Sequence, residues 1–250
     1  MKNPIGIILA AGRGSRMKNL TDSKPKCLIE LDGRSLLHWQ IASLRQANLK
    51  EIIVVTGYKG ELLQGNFETI VNPRWAETNM VQTLLYALNK TRDVSAVVSY
   101  ADIVYKYSHV EALLKINSDI AITYDKNWES LWRLRNSNPL EDAETFREYK
   151  GVLQEIGGKP SSLDEIQGQY MGLLFFSPKG QEIITNYLAM LPRDIVDKMD
   201  MTSLLRNLLT NNIRIDAVAV SGGWCECDTE RDIFLYQKQL KNGNWQHDWR

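Results

Sequence analysis

A glycine-rich stretch near the start of the chain, followed by cations, carries the residue types that bind a polyphosphate. The apolar run Ile7-Ile8-Leu9-Ala10-Ala11 leads into Gly12-Arg13-Gly14-Ser15-Arg16, and Lys26 comes ten residues after Arg16. Glycines leave backbone amides open to an anion, and the side-chain cations add positive charge. The stretch predicts a phosphate-binding loop at the end of a strand. The alternative is an ordinary glycine-rich turn with surface cations.

Two common phosphate-binding loops do not fit this stretch. A dinucleotide-binding fingerprint needs a third glycine where Met17 stands. A Walker loop needs Gly-Lys followed by Ser or Thr, which the stretch lacks. The pattern therefore disfavours a dinucleotide-dependent dehydrogenase and a Walker-type nucleotide site.

Two aspartates follow predicted strands elsewhere in the chain. Asp102 comes after the buried run 95–100, and Asp228 ends the strand-like segment 224–227. Ligands of open parallel sheets bind beyond the carboxyl ends of strands, so both acids are expected at one edge. Mg²⁺ commonly takes one or two carboxylates together with substrate phosphates. A lone aspartate at a strand end is more often a cap, so the assignment depends on the glycine-rich loop.

These segments together resemble the nucleotidyltransferase superfamily. The shared motifs are Leu-Ala-Ala-Gly-x-Gly-Ser-Arg, Pro-Lys-Cys-Leu, Val-Thr-Gly-Tyr, Thr-Asn-Met, Ala-Asp-Ile-Val-Tyr and a late Glu-Cys-Asp. Within the superfamily, the compact layout resembles most the bacterial phosphocholine cytidylyltransferases and their relatives that act on aminoethylphosphonate or phosphoglutamine. The resemblance covers most of the chain and is weakest between residues 126 and 170.

The resemblance implies Mg²⁺-dependent transfer of CMP from CTP to a small phosphorylated or phosphonate acceptor, with release of pyrophosphate. It implies that Arg16 neutralises the departing pyrophosphate and that Lys26 reaches the α-phosphate, while Asp102 and Asp228 hold Mg²⁺. The nucleotide-binding residues that it implies are Leu9, Ala10, Ala11, Gly12, Gly14, Ser15, Gly57, Tyr58, Asn79 and Ala101. Surface packing for Tyr58 and a helix cap for Asn79 remain open as alternatives.

The acceptor side is expected in the segment 126–176. Trp128 and Trp132 lie four residues apart and so share a helix face, and acids lie close by. An aromatic face with carboxylates binds an ammonium group, which suggests an amine-bearing acceptor; a core-facing tryptophan pair is the alternative. The candidate acceptor residues are Trp128, Trp132, Asp142, Glu144, Gly172 and Glu226. Gly172 is expected to let the acceptor pass close to the backbone, with a strand bulge as the alternative.

Alternating β-branched runs and helical patterns predict an α/β fold with a Rossmann-like, mostly parallel central sheet flanked by helices and a small acceptor-binding insertion. We expect a single domain over residues 1–250. The predicted strands cover 5–9, 51–56, 68–71, 95–100, 119–123, 151–156, 170–176, 213–220 and 224–228. The predicted helices cover 36–44, 80–88, 109–116, 181–191, 202–211 and 230–240.

Composition narrows the remaining classes. The formal net charge is zero, so no basic field indicates a nucleic-acid partner, and no apolar run is long enough to predict a membrane partner. Three cysteines fit a cytoplasmic protein, and the short apolar run near the start does not fit a signal peptide. His38, His109 and His247 do not suggest a nucleophile–base arrangement. A homodimer is possible.

Two other functions are compatible with the same residues. One is a sugar-1-phosphate nucleotidyltransferase that uses UTP, dTTP or GTP. The other is a catalytically silent, nucleotide-binding regulatory subunit, which the presence of Arg16, Lys26 and both aspartates disfavours.

Overall fold

A nine-stranded sheet with helices on both faces forms the body of the protein; the computed structural model describes residues 3–250. The strands are β1 (Ile5–Ala10), β2 (Glu30–Leu31), β3 (Arg34–Ser35), β4 (Ile52–Thr56), β5 (Glu68–Val71), β6 (Ala96–Tyr100), β7 (Ile103–Tyr105), β8 (Ile120–Asp125), β9 (Phe146–Tyr149), β10 (Val152–Ile156), β11 (Gln169–Phe176), β12 (Asp216–Val220) and β13 (Trp224–Glu226). The helices are α1 (Leu36–Gln46), α2 (Met80–Thr91), α3 (Tyr107–Lys115), α4 (Trp128–Arg135), α5 (Pro178–Ala189), α6 (Arg193–Lys198), α7 (Met201–Thr210) and α8 (Glu230–Lys241).

The large sheet has the strand order β5-β4-β1-β6-β11-β8-β12-β10-β9. Strands β5, β4, β1 and β6 pair in parallel, as do β8 and β12, while β11 runs antiparallel to both of its neighbours. Because β10 is antiparallel to both β12 and β9, only β10 and β11 oppose the other seven strands. The sheet is therefore mostly parallel, as the sequence predicts.

The two faces of the sheet bury two separate apolar clusters. Alternate residues of β1 divide between them, with Ile8 in one cluster and Ile7 in the other. Both side chains are fully buried, as expected for a central strand covered on both faces. None of the helices within residues 3–250 has the length and apolar character needed to cross a bilayer.

The predicted strands and helices are all present, with ends that shift by a few residues. The predicted elements omit β2, β3, β7, β9 and α6, and they include α4 only through the helical spacing of Trp128 and Trp132. The segment 126–176 contains α4 and also supplies β9, β10 and β11 to the main sheet. The segment that we expected to be an insertion is therefore largely built into the core sheet.

Capping residues fix the starts of the helices that border the site. Asn79 caps α2 through its side-chain oxygen, which accepts a hydrogen bond from the Met80 amide at 2.8 Å. At α8, Thr229 and Asp232 form a capping box that satisfies backbone amides reciprocally. Both helices thus begin at positions fixed by local hydrogen bonds, close to the ends of β6 and β13.

Candidate active site

The glycine-rich loop begins where β1 ends and is shaped around a lysine. Gly14 has a positive φ of 74°, and a Cβ atom there would lie 2.7 Å from the Cβ of Lys26. Glycine is therefore needed both for the left-handed backbone and for the close approach of Lys26. The loop and the lysine form one unit, as the combined motif predicts.

A cavity of about 240 Å³ lies between this loop and the end of β6. Its lining includes nine of the predicted residues: Leu9, Ala10, Gly12, Gly14, Ser15, Arg16, Lys26, Ala101 and Asp102. Residues from the two ends of neighbouring parallel strands thus share one cavity, which is where ligands of such sheets bind.

A second cavity of about 110 Å³ adjoins the first on the side of α2. It is lined by Leu9, Ala11, Gly12, Trp75, Thr78, Asn79, Met80 and Thr83. The sequence reasoning missed Trp75. The sequence feature that could have indicated it is the presence of a large aromatic residue in the turn that follows β5. None of these lining residues carries a charge, so the cavity suits an uncharged ring better than a phosphate.

Gly57 and Tyr58 support this second cavity from behind. A Cβ atom on Gly57 would lie 2.5 Å from both the Ala11 carbonyl oxygen and the Trp75 Cβ. The Tyr58 amide donates to the Ala11 carbonyl at 2.9 Å, and the Tyr58 ring meets Trp75 edge-on at 5.3 Å. The Tyr58 hydroxyl donates to the Thr21 carbonyl at 2.9 Å. Tyr58 therefore braces the loop and Trp75, which is the packing alternative considered for it.

Lys26 joins the two predicted metal ligands. Its Nζ donates to Asp102 Oδ2 at 2.7 Å and to Asp228 Oδ1 at 2.9 Å, and Arg16 contacts the same Asp228 oxygen at 2.9 Å. Burial of Lys26 disfavours its charged form, but the two carboxylates outweigh burial and hold its pKa above the ordinary value. Asp102 and Asp228, 126 positions apart in sequence, thus meet at one cation.

The same geometry tests whether the site suits Mg²⁺. Two carboxylate oxygens converge on one positively charged position beside the phosphate cavity, which is the oxygen-rich arrangement that Mg²⁺ prefers. No group of three His, Cys, Asp or Glu residues suited to a metal occurs within residues 3–250. The two aspartates therefore fit a cation that is completed by substrate phosphates.

Asp228 is also held from its buried side. Arg135 Nη2 donates to Asp228 Oδ2 at 3.2 Å, and the same guanidinium bonds to Glu226 and Asp232. Burial opposes ionisation of Asp228, but Lys26, Arg16 and Arg135 together lower its pKa below the ordinary value. Glu226 differs, because its burial dominates and raises its pKa to about 7. The sequence reasoning missed Asp232. The Thr229–Asp232 capping pattern at the start of α8 is the sequence feature that points to it.

Trp128 and Trp132 occupy the core instead of presenting an open aromatic face. Their side chains lie in the apolar cluster with 4% and 3% exposure, and their rings meet edge-on at 6.0 Å. Trp132 also packs against Trp224 at 6.2 Å. The expectation that these rings receive an ammonium group is therefore corrected: both rings are almost fully buried in the core, and Trp132 packs against Trp224 of β13.

Gly172 also has a different partner from the expected one. Its φ is +76°, and a Cβ atom there would lie 2.6 Å from the ring of Tyr100. The pairing of β11 with β8 shifts register between Tyr170 and Leu174. Gly172 is thus the bulge residue of the alternative, and it admits the Tyr100 ring, not a passing acceptor.

Asp142 and Glu144 lie on the outer side of this region. Asp142 Oδ2 is 3.8 Å from Arg135 Nη1, at the edge of the buried cluster. Glu144 is exposed, and its backbone is tied to the Gln169 side chain by hydrogen bonds of 3.2 and 2.6 Å. Although the residue is largely exposed, neighbouring groups desolvate its carboxylate and, together with Asp200, raise the pKa of Glu144. Both acids are placed to meet a cationic group that enters from solvent.

His247 lies between a serine and an aspartate, contrary to the expectation for the histidines. Its Nε2 is 3.0 Å from Ser130 Oγ, and its Nδ1 is 3.6 Å from Asp125 Oδ2. The Ser130 hydroxyl donates to the Asn127 carbonyl, however, and both Asp125 oxygens accept bonds from the backbone or from Trp224. His247 is only 1% exposed. Its contacts with Ser130 and Asp125 are therefore structural, and the Asp125 hydrogen bonds tie β8 to the turn before β13.

The fold and the site together define a nucleotidyltransferase. A glycine-rich loop at the end of β1 lies beside two carboxylates that converge on a lysine, and a second, smaller cavity lies alongside. A family model described as the MobA-like NTP transferase domain matches residues 6–160, and the chain belongs to that family.

The relatives and solved structures agree with this class. The CTP:phosphoglutamine cytidylyltransferase of Campylobacter jejuni is 37% identical over 246 residues, which cover 91% of this chain and 96% of that protein. A putative glucose-1-phosphate thymidylyltransferase of Bacillus anthracis superposes with a TM-score of 0.77 at 17% identity, covering 97% of each chain. The CTP:phosphocholine cytidylyltransferase of Streptococcus pneumoniae superposes with a TM-score of 0.70 at 17% identity, covering 96% of this chain and all of that one. The two structures support the fold.

Proposed function

We propose that this enzyme transfers CMP from CTP to a small phosphorylated or phosphonate acceptor that bears an amine, and releases pyrophosphate. The observation that carries the proposal is the meeting of Asp102 and Asp228 at Lys26, directly beside the glycine-rich loop. CTP as donor is supported by the 37% identical relative, whose name gives CTP and phosphoglutamine as substrates.

The phosphates of the nucleotide bind to the loop between residues 11 and 15. Backbone amides there, with Arg16, oppose the negative charge of the β- and γ-phosphates and of the departing pyrophosphate. Arg16 suits this role because its side chain is 66% exposed and can turn from Asp228 toward a ligand. The ring of the base enters the adjoining cavity beside Trp75 and Asn79.

Lys26 stabilises the charge that grows on the α-phosphate during transfer. Preorganised cations of this kind act without forming a covalent intermediate. Mg²⁺, held by Asp102 and Asp228, supplies further electrostatic stabilisation of the phosphates when it is bound. Because the second pKa of an acceptor phosphate is about 6, the acceptor is largely ionised at neutral pH and attacks without a general base.

The acceptor enters on the side formed by the segment 126–176 and β13. Acidic side chains there suit an amine; those in or beside this region are Asp142, Glu144 and Glu226. The same proposal includes a cytoplasmic location and a role in decorating a surface polysaccharide or lipid. The buried, unpaired state of Cys27, Cys225 and Cys227 supports a reducing compartment.

A pyrophosphate-release assay tests the proposal. We expect activity with CTP but not with UTP, dTTP or GTP, and with phosphoglutamine, phosphocholine or 2-aminoethylphosphonate but not glucose 1-phosphate. Activity only with sugar phosphates would establish the alternative, a sugar nucleotidyltransferase. The B. anthracis structural neighbour is described as an enzyme of that kind. Binding of nucleotide without any turnover would establish the silent regulatory subunit.

The Asp102→Asn variant tests the assignment of Asp102 as a metal ligand. Replacing one carboxylate oxygen by an amide nitrogen leaves the side-chain size unchanged but removes a ligand charge. We expect Mg²⁺-dependent activity to fall by at least about a hundredfold. Full activity of this variant would contradict the role of Asp102.

A further inference from the structure

A buried guanidinium stands behind the metal-binding aspartate. Arg135, the last residue of α4, has a side chain that is 5% exposed and lies 5.2 Å from the Trp132 ring. Its three nitrogens donate to three different carboxylates, those of Glu226, Asp228 and Asp232. A planar fork with five N–H donors can satisfy several acids at once, which an ammonium cannot.

The two oxygens of Asp228 have separate tasks. Oδ1 accepts from Lys26 and forms an ion pair with Arg16, both of which line the cavity beside the glycine-rich loop, while Oδ2 accepts from Arg135 on the buried side. Arg135 therefore fixes the rotation of the carboxylate and leaves one oxygen directed toward the substrates.

Asp232 closes a ring of hydrogen bonds around the same residue. Its Oδ1 accepts from Arg135 Nε at 3.2 Å, and its Oδ2 accepts from the Asp228 amide at 2.9 Å. Arg135 thus reaches both the side chain of Asp228 and, through Asp232, its backbone. Neither group touches the phosphate cavity, so both act through Asp228.

We propose that Arg135 is a positioning residue that makes Asp228 a one-oxygen ligand for the divalent cation. The inference rests on the proposed function, in which Asp228 binds that cation. Partners that orient a metal ligand from behind typically change metal affinity by 10–100-fold when they are altered. Arg135 should accordingly affect the metal-dependent part of nucleotide binding and not binding in general.

The test compares Arg135→Lys with Arg133→Lys on the same helix. Arg133 is exposed and pairs with Glu129 at 2.6 Å, so its replacement controls for losing a guanidinium from α4. Calorimetry measures the dissociation constant of CTP with Mn²⁺ and with EDTA, without acceptor. For Arg135→Lys we expect the Mn²⁺-dependent gain in affinity to fall at least about tenfold, with CTP binding in EDTA changed less than about twofold. Arg133→Lys should match the wild type.

A merely structural role predicts a different outcome. Loss of packing alone would weaken CTP binding equally with and without Mn²⁺, and that result would overturn the proposal. An unchanged Mn²⁺ gain in folded Arg135→Lys would overturn it as well. If this variant does not fold, the Asp232→Asn variant decides the question. Its side-chain amide presents a donor to the Asp228 amide, so the Mn²⁺-dependent gain in CTP affinity should fall. An unchanged gain would contradict the ring of hydrogen bonds around Asp228.

The wild-type measurement separates this inference from the proposed function. If wild-type protein shows no Mn²⁺ gain that Asp228→Asn removes, the metal assignment itself fails, and the inference fails with it. If the gain exists and depends on Asp228 but not on Arg135, only the positioning role fails.

Discussion

Arg16 and Arg135 both form ion pairs with Asp228, yet they lie in contrasting surroundings. The Arg16 side chain is 66% exposed beside the glycine-rich loop, whereas that of Arg135 is 5% exposed and bonds to three carboxylates. An exposed ion pair contributes little to stability, while removing one partner of a buried cluster costs several kcal/mol. In the proposed function, the loop side therefore exchanges its ion-pair partners for substrate, while the α4 side stays fixed.

The largest expected effect tests the fixed side. Trp128→Ala removes a ring that is 4% exposed in the apolar core and meets the Trp132 ring edge-on, and such changes cost about 3–5 kcal/mol of unfolding free energy. Urea unfolding measures the loss. Trp128→Phe keeps an aromatic ring where the alanine variant does not fold. If the folded phenylalanine variant keeps full stability but raises the KM of the acceptor, the ring is a ligand contact and the contrast between the two sides fails.

The next effect tests the exchanging side. Lys26→Met removes the charge that we assign to the α-phosphate, and loss of one preorganised donor lowers kcat by about a hundredfold or more. Lys24→Met, two residues earlier, should leave kcat within about twofold. Steady-state kinetics at saturating Mg²⁺ check both variants, with circular dichroism to confirm folding. Equal rates for the two variants would remove Lys26 from the transfer step.

Lowering the pH should reduce the stability of the fold through a buried histidine of α3. His109 in α3 is buried, and burial lowers its pKa from 6.5 to about 4, with Asp125 opposing the shift and Lys106 adding to it. Between these pH values the unfolded chain binds the extra proton, so stability is full above pH 6.5 and is lost as pH falls toward 4. We expect a loss of about 2 kcal/mol between pH 7 and pH 5.

Unfolding curves at several pH values measure this slope. His109→Gln should flatten it, while His38→Gln, at an exposed position beside Ser35, should leave it unchanged. If the unfolding free energy depends on pH equally in both variants, groups other than His109 cause the loss of stability in acid.

The smallest expected effect compares two glycines of the loop. Gly14→Ala places a Cβ atom 2.7 Å from Lys26 at a positive φ, which should cost about 1–2 kcal/mol. Gly12→Ala meets nothing within 4 Å and should change the unfolding free energy by less than about 0.5 kcal/mol. Thermal unfolding of the two variants checks the difference; equal stability would mean that the loop does not depend on Lys26 for its shape.

Sequence reasoning predicts the loop side well because its signals are local. The β-branched strands, the glycines and the strand-end aspartate Asp102 all lie within short segments whose pattern fixes their structure. Asp228 meets Asp102 for a different reason: β13 lies outside the main sheet and pairs antiparallel with β7, and the Cys227 amide donates to the Asp102 carbonyl at 2.8 Å.

The α4 side depends on contacts that no short segment contains. Arg135 meets Asp232 from 97 residues away, and the capping pattern at α8 gives no sign of it. The direction of β11 is equally hidden, because a continuous apolar run fits a parallel or an antiparallel strand. Trp128 and Trp132 have a helical spacing that suits a core or a ligand, and only their burial, with Trp132 packed against Trp224, distinguishes the two.

The start of α2 determines which way a nucleotide can lie in the cleft. The Asn79 amide donates to the Asp197 carbonyl at 2.7 Å, the Met80 amide to the Asn79 side chain, and the Val81 amide to the Met199 carbonyl at 3.3 Å. A helix start attracts phosphate through unpaired amides, and these three are already paired. In the proposed function, this pairing sets the orientation of the nucleotide: anionic groups go to the glycine-rich loop, and the uncharged end lies against α2. Because α6 and the residue after it supply two of those carbonyls, the same proposal makes the 193–199 segment a place where substitutions alter nucleotide choice without touching the glycine-rich loop.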